Sequence, residues 1–148
     1  MLAADQLIKV AAVANLEPGE RVPLIGDLLS LNLIRNPGAA FGLGADATII
    51  FSLFAMLATL GCLVALTQIT RWAHAVPLGL LLGGVTGNLV DRIFEPPAPL
   101  HGHVIDMFQV PNCAIFNWAD ICITSAAGLI IISSLRAELR ERDRERTS

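Results

Sequence analysis

The sequence predicts an all-α integral membrane protein of four transmembrane helices, with short strands and a stiff loop on one side. Three observations predict it. Apolar residues make up 54% of the 148 and DEKR only 16%, against about 45–50% and about 25% in soluble domains. The charges are also unevenly placed. Arg136–Arg146 holds five Arg and four acids, leaving five basic and nine acidic residues over the first 135 positions. The stretches between charges, finally, are of membrane-spanning length.

A helix needs about 20 apolar residues to cross a hydrocarbon core of about 30 Å. Residues 47–70 carry no charge between Asp46 and Arg71, and residues 72–90 none between Arg71 and Asp91. Residues 121–135 are uncharged but short, and reach spanning length only if Asn117 and Asp120 belong to the first turn. Residues 1–16 are mostly apolar but carry Asp5 and Lys9. At 1.5 Å per residue they cover about 24 Å, slightly less than a span. They lack the charged n-region and cleavage pattern of a removable signal peptide. The expectation is a truncated first helix that upstream apolar residues would complete. The helices are thus expected near 1–16, 47–70, 73–92 and 117–136, with a charged tail at 137–148, in a single domain 1–148.

Orientation follows from Lys and Arg. By parity Arg71 and the Arg-rich tail share one side, which makes that side and the C-terminus cytoplasmic and turns residues 17–46 and 93–116 outward. The first of these outer segments exceeds ordinary loop length. Val22–Ile25 and Leu29–Ile34 read as short strands, and Asn36-Pro37-Gly38 as a turn. Glu95–Leu100, with Pro96, Pro97 and Pro99, forms a stiff loop. A net charge of -3 leaves no basic footprint for nucleic acid. Cys62, Cys113 and Cys122 form no C-x-x-C motif, so neither a disulfide framework nor a cysteine zinc site is expected.

Ionisable groups in membrane helices are disfavoured by about 2.5–3.5 kcal/mol at the centre, so each one asks for a partner or a role. Asp5 and Lys9 stand one helical turn apart, acid first, the favourable order for an ion pair. A paired carboxylate is a poor base, so this pair reads as a brace for the outer helix ends. Gly79, Gly83 and Gly87 form a small-residue stripe for close helix approach. Asn88, Asp91 and Arg92 follow at i, i+3 and i+4 on one face. Arg92 is able to clamp a carboxylate or carbonyl, and an Asp91–Arg92 interfacial anchor is the blander reading. Asn117 and Asp120 again share a face, Asn117 as a candidate N-cap. Asp106, set among Val104, Ile105, Met107 and Phe108, has no cheap structural explanation.

All these ends lie on the outer side by parity. Asp106 and Asp120 can converge there among Asn and Arg donors. Two close carboxylates in a poorly hydrated site share a proton. One then takes a proton from water and the other donates one, which is aspartic peptide hydrolysis. A zinc site would use His101, His103 and Asp106. It has no H-E-x-x-H helix and no cysteine pair to complete it, and His74 falls on the other side, so no metal or cofactor is assigned. A serine hydrolase lacks G-x-S-x-G. A proton-coupled carrier would place its acids at mid-depth rather than at one interface.

Five blocks in order now carry a resemblance: Asp5-Gln6-Leu7-Ile8-Lys9, Arg35-Asn36-Pro37-Gly38-Ala39-Ala40-Phe41, Gly87-Asn88-Leu89-Val90-Asp91-Arg92, Val104-Ile105-Asp106 and Phe116-Asn117-Trp118-Ala119-Asp120. From Asp5 to about Leu135 the sequence resembles the bacterial lipoprotein signal peptidases (signal peptidase II), membrane aspartic peptidases. The resemblance implies that Asp106 and Asp120 are the catalytic dyad, supported by Asp5, Lys9, Asn36, Gly38, Asn88, Arg92 and Asn117. It implies a small extracytoplasmic β-sheet from residues 17–46 and a flap-like outer loop from 93–116. It further implies a multi-pass protein of the bacterial cytoplasmic (inner) membrane, with its active site on the extracytoplasmic side. The implied partners are membrane lipids, a diacylglyceryl-modified prolipoprotein substrate cleaved before its lipidated Cys, and a globomycin-type cyclic peptide inhibitor. The Pro-rich run at 95–99 departs from the family pattern and bears on how such a flap closes.

Overall fold

A computed structural model describes residues 1–38, 48–69, 72–97 and 99–147. Its elements are α1 (Leu2–Asn15), β1 (Arg21–Ile25), β2 (Leu29–Asn36), α2 (Thr48–Leu66), α3 (Trp72–Phe94), β3 (Val104–Gln109) and α4 (Trp118–Thr147). The four helices fall near their expected places, the ends of α1, α2 and α3 shifted by a few residues and α4 continuing well past 136 to Thr147. Arg71 and Ala39–Phe41 lie outside the described residues.

Helix α1 is alanine-rich and free of Gly and Pro, and it stops where Leu16 turns extended (φ -114°, ψ 137°) ahead of Pro18. β1 and β2 form an antiparallel hairpin whose turn is eased by Gly26 at φ +48°, a conformation glycine adopts without a Cβ penalty. Helix α4 runs on through the charged residues to Thr147, so the tail is the solvated end of the last helix.

One expectation is corrected. Residues 93–116 are not all loop. Their centre, Val104–Gln109, is the third strand of the sheet, in the order β1-β2-β3 and antiparallel throughout. Ile34 faces Asp106 and Arg35 faces Ile105 across β2 and β3. The chain then folds back, with Phe116 bonding Phe108 in both directions (3.0 and 2.8 Å), and enters α4 at Asn117. Alternation does not mark this strand, because Val104, Ile105, Asp106 and Met107 are all buried whichever face they lie on. Ala12 of α1 joins Leu33, Ile105 and Met107 of the sheet in a small apolar core.

Helix α3 is central, packing against α1, α2 and α4. A Cβ on Gly87 would stand 2.5 Å from Asp5 Oδ2 and 3.4 Å from the Cβ of Ala119. Gly84 approaches the Ala119 carbonyl equally closely, and Gly83 approaches Met1. Gly79 faces open space, so the close-approach stripe is Gly83, Gly84 and Gly87 rather than Gly79, Gly83 and Gly87. Leu7, Val10, Ile50, Phe54, Leu57, Leu60 and Ile131 all stand exposed, an apolar exterior that a bilayer satisfies and water does not. Among the described residues, α2 and α4 are long and apolar enough to cross a membrane.

Candidate active site

The polar residues meet where the outer ends of α1, α3 and α4 abut the sheet. Their centre is Lys9, whose ammonium is buried (2% exposed) and touches Asp5 Oδ2 at 2.9 Å and Asp91 Oδ2 at 2.7 Å. It also donates to Asn88 Oδ1 at 3.0 Å. The Asp5–Lys9 brace is therefore real, but it is a triad. Asp91 pairs with Lys9 and not with Arg92, which corrects the Asp91–Arg92 anchor. The Arg92 guanidinium turns instead to the backbone carbonyls of Pro37, Gly38 and Gly102.

The acids of the triad accept further donors, as buried charges must. The Ala119 N–H donates to Asp5 Oδ1 at 2.9 Å and the Ile105 N–H to Asp91 Oδ2 at 3.1 Å. Gln6 Nε2 reaches Asp5 Oδ2 (3.2 Å), Asp91 Oδ1 (3.1 Å) and the Gly87 carbonyl (3.1 Å). The triad thus ties α1 to the first turn of α4 and to the residue before Asp106.

Asp120 and Asp106 are held from both sides by amides. Asn88 Nδ2 donates to Asp120 Oδ1 at 3.0 Å, so one asparagine carries Lys9 on its oxygen and Asp120 on its nitrogen. Asn117 caps α4 as expected. Its Oδ1 accepts the Asp120 N–H at 3.1 Å while its own N–H donates to Asp120 Oδ2 at 3.0 Å, a reciprocal capping box. The same fully buried side chain donates through Nδ2 to Asp106 Oδ1 at 2.6 Å, while Asn36 Nδ2 donates to Asp106 Oδ2 at 3.0 Å. Asn117 is therefore the bridge between the two acids.

Asp106 lies in β3, and burial pushes its pKa up to about 6. The Asn36 donor opposes that rise, the neighbouring Asp120 adds to it, and Asn117 and Lys9 lower it. Its ionised form is thus poorly solvated, and it keeps its proton to higher pH than an ordinary carboxyl.

Arg92 takes the carbonyl option. Its guanidinium donates to the carbonyls of Gly38 (2.6 Å), Pro37 (3.1 Å) and Gly102 (3.4 Å), and it stacks 5.8 Å over the Phe51 ring. The Gly38 N–H in turn donates to Asn36 Oδ1 at 3.0 Å, which orients the amide facing Asp106. A Cβ at Gly102 would fall under 3.0 Å from the carbonyls of Asp91, Arg92 and Glu95, so only glycine closes this junction.

Asp106, Asp120, Asn36, Gly38, Asn88 and Arg92 line one cavity of about 740 Å³, walled by Phe51, Phe54, Leu81, Val85 and Ile115. The polar groups gather at one end and the rest is apolar, a shape for an amphiphilic chain. Both oxygens of Asp106 face amides, and His101 stands exposed beside the Pro99 carbonyl. Among the described residues no three His, Cys, Asp or Glu side chains group to hold a metal.

Asp91 and Gln6 were missed as site residues, as were Thr48 and Ser52, which hold the Pro37 and Leu100 carbonyls at 2.6 Å each. The i, i+3 spacing of Asn88 and Asp91 was the available signal for Asp91. A hydroxyl bonded to a distant carbonyl leaves none.

Comparison with known proteins gives a consistent answer. The family model described as Signal peptidase (SPase) II matches residues 1–136. The lipoprotein signal peptidase of Rhodococcus jostii (strain RHA1) is 45% identical over 91% of this chain and 68% of its own length. That of Leifsonia xyli subsp. xyli (strain CTCB07) is 45% identical over 89% and 62%, and that of Mycobacterium avium (strain 104) 41% over 91% and 74%. The chain thus spans about two thirds of the length of these relatives. A bacterial membrane enzyme solved by the in meso method at 2.3 Å resolution superposes with a TM-score of 0.82 at 25% identity, covering 91% of this chain and 82% of that one. A second, solved at 1.9 Å, gives 0.78 at 26% identity, covering 90% and 86%. With a family match along nearly its whole length and relatives above 40% identity, the chain belongs to the signal peptidase II family of membrane proteases.

Proposed function

We propose that this protein is an aspartic endopeptidase that removes the signal peptide from diacylglyceryl-modified prolipoproteins, cleaving before the lipidated cysteine with water activated by Asp106 and Asp120. The observation that carries the reading is the double engagement of Asn117, which caps the helix of Asp120 and bonds Asp106, with both carboxyls lining one cavity. Membership in a family whose relatives are named lipoprotein signal peptidases supports the substrate class.

In this mechanism the dyad shares one proton, carried by Asp106 when water attacks. Asp120 takes a proton from water as the water oxygen bonds to the scissile carbonyl carbon. Asp106 gives its proton to the carbonyl oxygen, which avoids a bare oxyanion. The tetrahedral intermediate collapses as the carbon–nitrogen bond breaks. The proton on Asp120 passes to the leaving cysteine nitrogen, and the carbonyl oxygen returns its proton to Asp106. Asn88, Asn117 and Asn36 hold the acids in place, and Arg92 fixes the Pro37–Gly38 backbone beside them. The apolar wall receives acyl chains and the signal helix, and a globomycin-type cyclic peptide would compete for the same space.

The proposed topology is multi-pass in the bacterial cytoplasmic membrane. The sheet and cavity face outward and the Arg-rich end of α4 faces the cytoplasm. The test is cleavage of a diacylglyceryl-prolipoprotein by the purified protein and by Asp106→Asn and Asp120→Asn. Both variants are expected to fold and insert yet cleave nothing. Normal processing by either one refutes the dyad.

A further inference from the structure

At the end of the bundle opposite the acids lies a second cleft, of about 430 Å³, between the first turns of α3 and the α4 stretch 129–140. Leu129, Ile132 and Pro77 make its walls, and Arg136, Arg140 and His74 its rim. Arg136 and Arg140 stand one helical turn apart and so present two guanidinium groups to one side of α4. Neither is in an ion pair among the described residues, whereas Arg142, on another face, pairs with Glu138. Two unpaired arginines over an apolar cleft at a membrane helix end are complementary to an anion that carries hydrocarbon. A phosphodiester meets guanidinium groups with paired hydrogen bonds, and its acyl chains would run along the exposed Leu129 and Ile132. Basic pockets of this kind between membrane helices hold lipid head groups.

We propose that this cleft binds the head group of an anionic phospholipid, seated across α3 and α4. The assignment goes beyond peptidase activity and rests only on the bundle lying in a bilayer. Its physical role follows from what the helices carry: α3 bears Asn88, Asp91 and Arg92, and α4 bears Asn117 and Asp120. A lipid bridging their far ends clamps the pair of helices that supports the dyad.

The test uses the full chain in nanodiscs of pure phosphatidylcholine and of phosphatidylcholine with phosphatidylglycerol, three parts to one. Phosphatidylglycerol retained per protein is counted by native mass spectrometry, and prolipoprotein cleavage is followed in parallel. Each Arg near a membrane surface contributes about fivefold to anionic lipid affinity, so Arg136→Gln with Arg140→Gln is expected to lose about 30-fold. The control, Arg142→Gln with Arg146→Gln, removes the same charge away from the cleft and is expected to lose less than about threefold. Cleavage in pure phosphatidylcholine is expected to be equal for wild type and both double variants, so failure of this lipid site and failure of the peptidase reading are separately visible. Equal losses in the two double variants would reduce the effect to general attraction and overturn the proposal. No phosphatidylglycerol preference in the wild type, or displacement of the lipid by inorganic phosphate at like concentration, would overturn it as well.

Discussion

Asn117 performs two tasks with one amide, and two substitutions separate them. Asn117→Ala removes the oxygen that caps the Asp120 N–H, worth about 1 kcal/mol. It also removes the buried bond to Asp106 Oδ1, worth about 2 kcal/mol to a charged acceptor. The expected loss is therefore about 3 kcal/mol where Asp106 is ionised. Asn117→Ser keeps a capping oxygen but cannot span to Asp106, so its expected loss is about 2 kcal/mol. The sign of the pH effect is fixed. Asn117 stabilises ionised Asp106, so either substitution raises the Asp106 pKa above its value of about 6. In a mechanism that needs Asp106 protonated, the alkaline limb of residual cleavage then moves to higher pH. At pH about 4 Asp106 is protonated in the folded protein with or without Asn117, so the acceptor is uncharged and the stability penalty shrinks. Denaturation in detergent at two pH values, with a pH–rate profile for each variant, measures all of this. Equal stability of the Ala and Ser variants, or an alkaline limb that stays put or moves down, would refute the bridging account.

The raised pKa of Asp106 also links folding to pH. A carboxyl shifted from 3.8 to about 6 adds stability below pH about 4 that is lost as pH rises through 6, about 3 kcal/mol in all. Asp106→Asn should flatten that part of the stability–pH curve, and an unchanged curve would contradict the assignment. Gly87→Ala forces a methyl onto the pinned Asp5 carboxylate and should cost about 1–3 kcal/mol, whereas Gly79→Ala meets open space and should be neutral or stabilising by up to about 1 kcal/mol; thermal unfolding of the pair decides. Lys9→Met leaves Asp5 and Asp91 buried without a cation and should cost about 3–5 kcal/mol. Adding Asp91→Asn should restore part of that loss, and a Lys9→Met protein as stable as wild type would remove the triad from the energetics.

The helices were legible because bilayer length is a hard constraint and charges mark its limits. The α3 and α4 termini were legible for a second reason: i, i+3 spacing puts Asn88 with Asp91 and Asn117 with Asp120 on shared faces before any fold is known. β3 was not legible, since its alternation is erased by burial on both faces. Asp91 was misassigned because its sequence neighbour Arg92 offered an opposite charge, while its true partner Lys9 lies 82 positions away on α1. Long-range partners of this kind are chosen by packing, here by Gly83, Gly84 and Gly87 letting α1 and α4 close on α3. The roles of Ser52 and Thr48 depend on loop carbonyls whose positions no local pattern encodes.

Lys9 is the only lysine in the chain, and it is sealed at the meeting point of α1 and α3. The protein therefore carries a built-in chemical reporter. An amine-directed acylating reagent finds one side-chain target besides the N-terminus, and finds it only when the helices part. The rate of that single modification would time the breathing of the bundle directly, with no label introduced and no residue changed.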